Sequence, residues 1–473
     1  MRLTTARLLV FGSSAAVLVL EILAGRLMAP YVGVSLETFT GIIGVILAGI
    51  ALGTAFGGQL ADRFDPARLI GPALIAGGLL SWLSLWLVHA IGPELGRGVP
   101  AIVVLTTVAF FAPAAVLSAV SPMVAKLRLQ SLDETGAVVG GLSAWGTFGA
   151  LFGVFVTGFV LVAAWPTSPI VLGLGVLLVV VGVGFTAAAE GRPPSVALGI
   201  AIITTFALGV SAQSPCSFES AYFCGRVVPD ADDPSIRYLV LDDLVHAAVD
   251  LDDPSNLPLR YVRLLAATID ARAEGPLDVV HVGGGGFTMP AHIDRTRPGS
   301  TQVVFEIDDE LLDVARTELG YVPGPDTEVE IGDARLGLVD LPDDTYDVVV
   351  GDAFGGAAVP WHLTTTEFVA EIERVLTDDG VYVMNIIDGG PNDFAEWMAA
   401  TLADRFAHVA VIEPVDGVGA GTTNQILIAS PNPIARFDVG VDGGWVDDVG
   451  AMIARGRVLT DDFAPVDRLL TSN

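Results

Sequence analysis

A run of four glycines, Gly283-Gly284-Gly285-Gly286, interrupts an apolar stretch at 277–282 and precedes Phe287-Thr288-Met289-Pro290, which opens a helix. Glycines remove side chains, so backbone N–H groups at a helix N-terminus can approach a ligand closely. A second apolar stretch, 302–305, ends in Glu306, a carboxylate placed to accept both hydroxyls of a ribose. Asp308 and Asp309 then open a helix, a third stretch ends at Gly332-Asp333-Ala334-Arg335, and a fourth ends at Gly351-Asp352-Ala353-Phe354. Glycines and carboxylates gathered at the ends of successive strands describe the edge of a nucleoside pocket. The alternative, that the acids only cap helices, suits Asp308 or Asp309 better than Glu306, Asp333 and Asp352 together.

The elements that must hold these residues can be read from the pattern. From about residue 277 short β-rich runs alternate with helical stretches, the signature of a parallel sheet covered by helices on both faces. The first run is almost wholly apolar, as a strand buried on both faces should be. The expected organisation is a polytopic helical domain over 1–212, a β-rich connecting segment over 213–270, and an αβ domain over 271–473.

At residues 237–388 the chain resembles the spermidine-synthase (polyamine aminopropyltransferase) family, which shares its fold with class I S-adenosylmethionine methyltransferases. The resemblance is carried by Val282-Gly283-Gly284-Gly285-Gly286, Phe305-Glu306-Ile307-Asp308, Gly332-Asp333-Ala334-Arg335, Asp352-Ala353-Phe354 and the stretch from Val359-Pro360-Trp361-His362 to Glu367-Phe368. Leu241-Asp242-Asp243-Leu244-Val245-His246 resembles the family's β-hairpin before a Rossmann-like core, and Glu21 to Pro30 with Leu60-Ala61-Asp62-Arg63 resembles its membrane-fused branch. The resemblance implies S-adenosylmethionine or its decarboxylated form as substrate, with no metal. It places Gly283 to Gly286, Glu306, Asp308, Asp333 and Ala334 at the nucleoside and Asp352 as the catalytic acid. His246, Trp361 and His362 fall near the acceptor. Two departures stand out: the family's acid in the glycine run is replaced by Gly286 or Phe287, and a second acid after the catalytic one is replaced by Gly355. Those acids help to hold cationic amines.

The first half predicts a membrane bundle. Apolar runs of spanning length, roughly 17–25 residues, occur near 8–30, 38–61, 69–91, 100–124, 138–164, 168–188 and 195–212, about seven transmembrane helices. Arg2, Arg7, Arg63, Arg68, Lys126, Arg128 and Arg192 fall on one side of these spans, with Arg97 and Arg26 towards the other. The positive-inside rule then makes the N-terminus cytoplasmic, and seven spans put the αβ domain outside the cytoplasm. One helix more or fewer reverses that side, and S-adenosylmethionine is made inside the cell. Cys216 and Cys224, the only cysteines, can close a small disulfide loop outside the cytoplasm or remain buried thiols. Glu21 and Arg26 are charges at membrane depth, open to pairing, function or snorkelling. Gly53-Thr54-Ala55-Phe56-Gly57-Gly58 needs only close helix packing.

Charge is distributed unevenly. Residues 1–212 hold nine basic and eight acidic side chains, the remainder 15 and 46, and Lys126 is the single lysine. An acidic, lysine-poor surface stays hydrated in concentrated salt, which points to a salt-loving host, and its field repels nucleic acid. The expected partners are the lipid bilayer and a small-molecule amine or membrane-associated acceptor, with no nucleic acid and a homodimer left open. The expected activity is aminopropyl transfer to an amine. Methyl transfer to a membrane-associated acceptor, or a non-catalytic nucleoside or polyamine sensor or transporter, is the alternative.

Overall fold

A computed structural model describes the chain except residues 97, 130–134, 191–194, 273, 356–357, 390–391, 415–422 and 472–473. Arg97 and Arg192, two of the cations that set the expected topology, lie outside the described residues. The chain divides into two compact units, Met1–Arg226 and Val227–Asn473.

In the first unit every apolar run forms a helix. Six are long and apolar enough to cross a membrane: α1 (Leu3–Val32), α2 (Leu36–Arg63), α3 (Pro66–Glu94), α4 (Val99–Arg128), α5 (Thr135–Ala164) and α6 (Thr167–Ala189). The seventh run forms a shorter apolar helix, α7 (Val196–Ser211). At about 1.5 Å per residue it extends about 24 Å, short of a hydrocarbon core of about 30 Å. Small residues let the helices meet at backbone distance. A Cβ at Gly53 would lie 2.0 Å from the carbonyl oxygen of Ala115, and one at Gly57 2.6 Å from the Ala119 Cα, so α2 and α4 run side by side in parallel. Gly149 and Gly153 of α5 meet Phe11 and Ala15 of α1 in the same sense. Between α3 and α6 the order is reversed: Gly71 lies beside Thr186, and Gly175 beside Trp82.

These pairings give the bundle two ends. At one, Lys126 bonds Asp62 at 2.6 Å and Arg128 donates to the Met1 carbonyl at 2.9 Å. At the other lie Arg26 and the start of α6. The last residues of α7 reach this second end, where Phe206 packs edge-on to Trp82 (5.0 Å between centroids) and Gly209 lies against Trp82 and Leu172. There the chain forms a small antiparallel pair, β1 (Phe218–Glu219) and β2 (Cys224–Pro229), with Cys216 bonded to Cys224.

The second unit begins with the hairpin β3 (Ile236–Leu241) and β4 (Leu244–Asp250), turned by Asp242-Asp243 with Asp242 at φ 52°. Helix α8 (Arg260–Asp270) leads into an eight-stranded sheet. Its elements are β5 (Asp278–Val282), α9 (Thr288–Thr296), β6 (Thr301–Glu306), α10 (Asp309–Glu318), β7 (Thr327–Ile331), α11 (Ala334–Leu338), β8 (Tyr346–Gly351), α12 (Thr366–Val375), β9 (Leu376–Asp388), α13 (Asp393–Arg405), β10 (His408–Pro414), β11 (Thr423–Ser430) and β12 (Gly443–Trp445). The spatial order is β12-β10-β11-β9-β8-β5-β6-β7; β7, β6, β5, β8 and β9 are parallel, and the last three strands antiparallel. Val280, Val282 and Val349 meet α12 and α13 on one face, and Val279, Val348 and Val350 meet α8 and α9 on the other. Burial on both faces explains why these strands read as continuous apolar runs. The strand order reverses between β5 and β8, and in open parallel sheets the crevice outside such a reversal is where ligands bind.

The close approach of α2 and α4 is testable. Gly53→Leu should destabilise the detergent-solubilised protein by about 1–3 kcal/mol and lower its thermal midpoint. Gly44→Leu, where an added Cβ meets nothing within 4 Å, should not. Equal midpoints for the two variants would reject the packing.

Candidate functional site

The glycine run comes directly after β5 and is shaped by backbone need. Gly283 has φ 100°, and a Cβ there would lie 2.6 Å from the Asp352 carbonyl oxygen, so β5 and β8 end in contact only because it carries none. Hydrogen bonds lock the strand ends: Gly283 N–H to Phe305 O (2.9 Å), Asp352 N–H to Val282 O (2.9 Å) and Gly332 N–H to Glu306 O (2.8 Å). Phe287, a left-handed non-glycine residue at φ 56°, caps α9, is fully buried and stacks on Tyr321 at 4.7 Å.

Glu306 ends β6 with its carboxylate turned back on the glycine run. Oε2 accepts from Gly284 N–H and Gly285 N–H, each at 2.9 Å, and Oε1 from Asp308 N–H at 3.0 Å. Burial pushes its carboxyl above the usual range, and the backbone N–H groups oppose the shift. Gly285, at φ 50°, faces open space where a Cβ would stand, a cradle that a nucleoside could enter. A nucleoside therefore fits the residues present.

Asp352, the residue after β8, lines a cavity of about 230 Å³ together with all four glycines, His246 and residues that sequence reasoning missed. Asn385 Nδ2 donates to its Oδ1 at 2.8 Å, and Asn424 Nδ2 donates to Asn385 Oδ1 at 3.0 Å. The Tyr261 hydroxyl lies beside the same carboxylate and donates to the His246 carbonyl at 2.9 Å. Burial pushes the Asp352 carboxyl up to about 6, against the hydrogen bonds from Asn385 and Tyr261. Burial likewise lowers His246 and His281 to about 4, so both rings are neutral at pH 7. Asn385 and His281 had one sequence signal, a polar residue inside an otherwise apolar strand. Asn424 and Tyr261 had none, because strands and helices distant in sequence bring them in.

The other expected residues lie apart from this cavity. Asp308 caps α10 through Glu310 N–H (3.2 Å) and is fully buried. Asp333 caps α11 through Arg335 N–H (2.8 Å), and its second oxygen faces His362 Nε2 at 3.2 Å. Capping is therefore part of what Asp333 does, more than its sequence context indicated. Ala334 packs into the core beside it. Trp361, half exposed, meets His362 edge-on in the short turn Trp361–Leu363, and neither lines the Asp352 cavity. Asp333 and His362 form a pair that sequence spacing did not reveal.

No family model matches the chain. Over 127 residues, 26% of its length, it is 32% identical to a polyamine aminopropyltransferase of Vibrio vulnificus and spans 42% of that protein. Over 124 residues, 24% of its length, it is 27% identical to the eEF1A lysine and N-terminal methyltransferase of Bos taurus, of which it spans 18%. Among solved structures, a probable spermidine synthase from Corynebacterium glutamicum ATCC 13032 aligns at a TM-score of 0.48 and 25% identity, covering 53% of this chain and 97% of that one. The chain thus spans less than half of the curated relatives named here, and its similarity is to polyamine aminopropyltransferases and to a methyltransferase.

If Glu306 organises a nucleoside site, Glu306→Ala removes three charge-assisted bonds, two from the glycine run and one from the Asp308 N–H, each worth about 1.5–3 kcal/mol. Calorimetric affinity for S-adenosylmethionine should then fall by at least about tenfold. An unchanged affinity would refute the assignment.

Proposed function

We propose that the second unit is a membrane-tethered transferase that alkylates an amine at the expense of an S-adenosylmethionine-type nucleoside, aminopropyl being the group transferred. The bound nucleoside supplies an electrophilic carbon beside a sulfonium; the N–C bond forms as the C–S bond breaks, and sulfur keeps the electron pair. The observation that carries this reading is Asp352, a carboxylate at the strand reversal that opens on the cavity beside the glycine run. It accepts the amine's proton and aims the nitrogen lone pair at the reacting carbon. Its elevated pKa brings it near working pH, where a general base is most effective. Asn385 and Tyr261 both bond the carboxylate, and its remaining lone pairs are what the amine would meet.

One observation favours methyl transfer as a second reading. An acid in the glycine run, which aminopropyltransferases use towards a cationic amine, has no room at Gly286: its Cβ would lie 2.4 Å from that of Ala247. Donor labelled in the methyl or in the aminopropyl group distinguishes the two by which label reaches the acceptor.

The unit is proposed to lie outside the cytoplasm. Support comes from α7, whose end lies at the face opposite the Lys126–Asp62 pair, and from the disulfide beyond it.

Three outcomes check these proposals. Asp352→Asn should lower kcat by about 10²–10⁴-fold while leaving nucleoside affinity intact, as single-turnover kinetics and calorimetry would show. A base must be ionised, and the Asp352 pKa is raised, so kcat/KM should fall as pH drops through about 6; a profile flat to pH 4.5 would remove Asp352 as the base. A membrane-impermeant thiol reagent applied to intact cells after reduction should label Cys216 and Cys224, whereas labelling only after permeabilisation would place the unit inside.

A further inference from the structure

The Asp352 cavity has a charge inventory unlike that of a diamine site. Among the described residues that line it, Asp352 is the one carboxylate, and no Lys or Arg joins it. Burial keeps the two lining histidines, His246 and His281, neutral, and a specific partner sets the tautomer of His281. Gln302 fixes His281: its amide nitrogen donates to Pro290 O (3.1 Å) and Asp294 Oδ1 (2.7 Å), so its oxygen accepts from His281 Nε2 (2.8 Å). Nε2 therefore carries the ring proton, and Nδ1 remains an acceptor on a ring that lines the cavity. Asn424 and Asn385 are likewise oriented in series towards Asp352. Leu244, Val245, Met289 and Ile387 supply apolar wall. At about 230 Å³, the space, which an acceptor would share with the donor's reacting end beside the glycine run, is smaller than the roughly 300–1,000 Å³ of drug-sized pockets.

We infer that the acceptor is a small amine with a single positive charge and a neutral remainder, and not a diamine or polyamine. This rests on the transferase reading above. One ammonium is compensated by Asp352. A second in the same cavity would lose water to amides, neutral imidazoles and hydrocarbon, with no further carboxylate among the described lining residues to offset the loss. The neutral His281 ring in the wall adds no positive charge that would repel the acceptor's own.

The test is calorimetric titration of the full-length protein, loaded with S-adenosylhomocysteine, with n-butylamine, ethanolamine and putrescine, and then label transfer from donor to the same amines. The two monoamines are expected to bind at least about tenfold more tightly than putrescine. Thr423→Asp, which adds a carboxylate to the cavity wall, should narrow or invert that ratio. Tighter binding of putrescine by the unaltered protein, or binding of none of the three, would overturn the inference. Monoamine preference without transfer of label would uphold the acceptor class while refuting the transferase reading, so the two failures are told apart.

Discussion

The carboxylate of Glu306, folded back onto the N–H groups of Gly284 and Gly285, is the interaction on which the site depends. A run of four glycines has the largest backbone entropy to lose, and something must hold it in one shape. The strand-end hydrogen bonds at Gly283 and Asp352 fix where the run begins; Glu306 fixes the turn itself; Phe287, buried on Tyr321, fixes where it becomes helix. The arrangement has a consequence for binding. A carboxylate offers about four lone-pair positions, and backbone N–H groups already occupy at least three of them. Few positions on Glu306 are thus left for any further donor, and any group that bonds it competes with the loop.

Asp352 lives under the opposite balance. Glu306 is surrounded by fixed donors, whereas Asp352 receives one amide and lies beside one phenol. The Tyr261 hydroxyl has a single proton, shared between the His246 carbonyl and the Asp352 carboxylate. Ionised Asp352 draws that proton towards itself, and protonated Asp352 releases it to the carbonyl. The charge state of Asp352 is thereby linked to the β4 backbone beside the cavity, which a solvent-facing acid could not achieve.

The legible parts of this protein were those set by local pattern. Buried parallel strands are continuous apolar runs, so β5 to β8 and the polar residues at their ends could be read directly from the chain. The hairpin at Asp242-Asp243 was expected from the family resemblance carried by Leu241 to His246 and not from local pattern. What sequence could not show is convergence. Asn424 reaches Asn385, the residue that bonds Asp352, only because β11 inserts antiparallel beside β9, and His362 reaches Asp333 across some thirty residues of chain. Asp333 illustrates the limit well: its position at a strand end was clear, but the same position is also an N-cap, and only coordinates show that one carboxylate has two tasks. The seventh helix was likewise visible as an apolar run, while its length fell short of the span expected.

That short helix matters because of the disulfide-closed loop beyond it. Arg26, flagged by its sequence as a charge at membrane depth, donates to the carbonyls of Ser220 (2.5 Å) and Ala221 (2.8 Å) in that loop, and its Nε reaches Thr167 Oγ1 at 3.4 Å. Glu219 of the same loop accepts from the Thr167 N–H at 2.8 Å, an anion on the positive end of α6. The two charges are satisfied by one segment: the cation by carbonyls, the anion by a helix N-terminus. Because both contacts lie at the same end of the bundle, they also fix where α7 must finish. The disulfide closes the loop that carries both contacts, directly beyond the 16-residue helix α7.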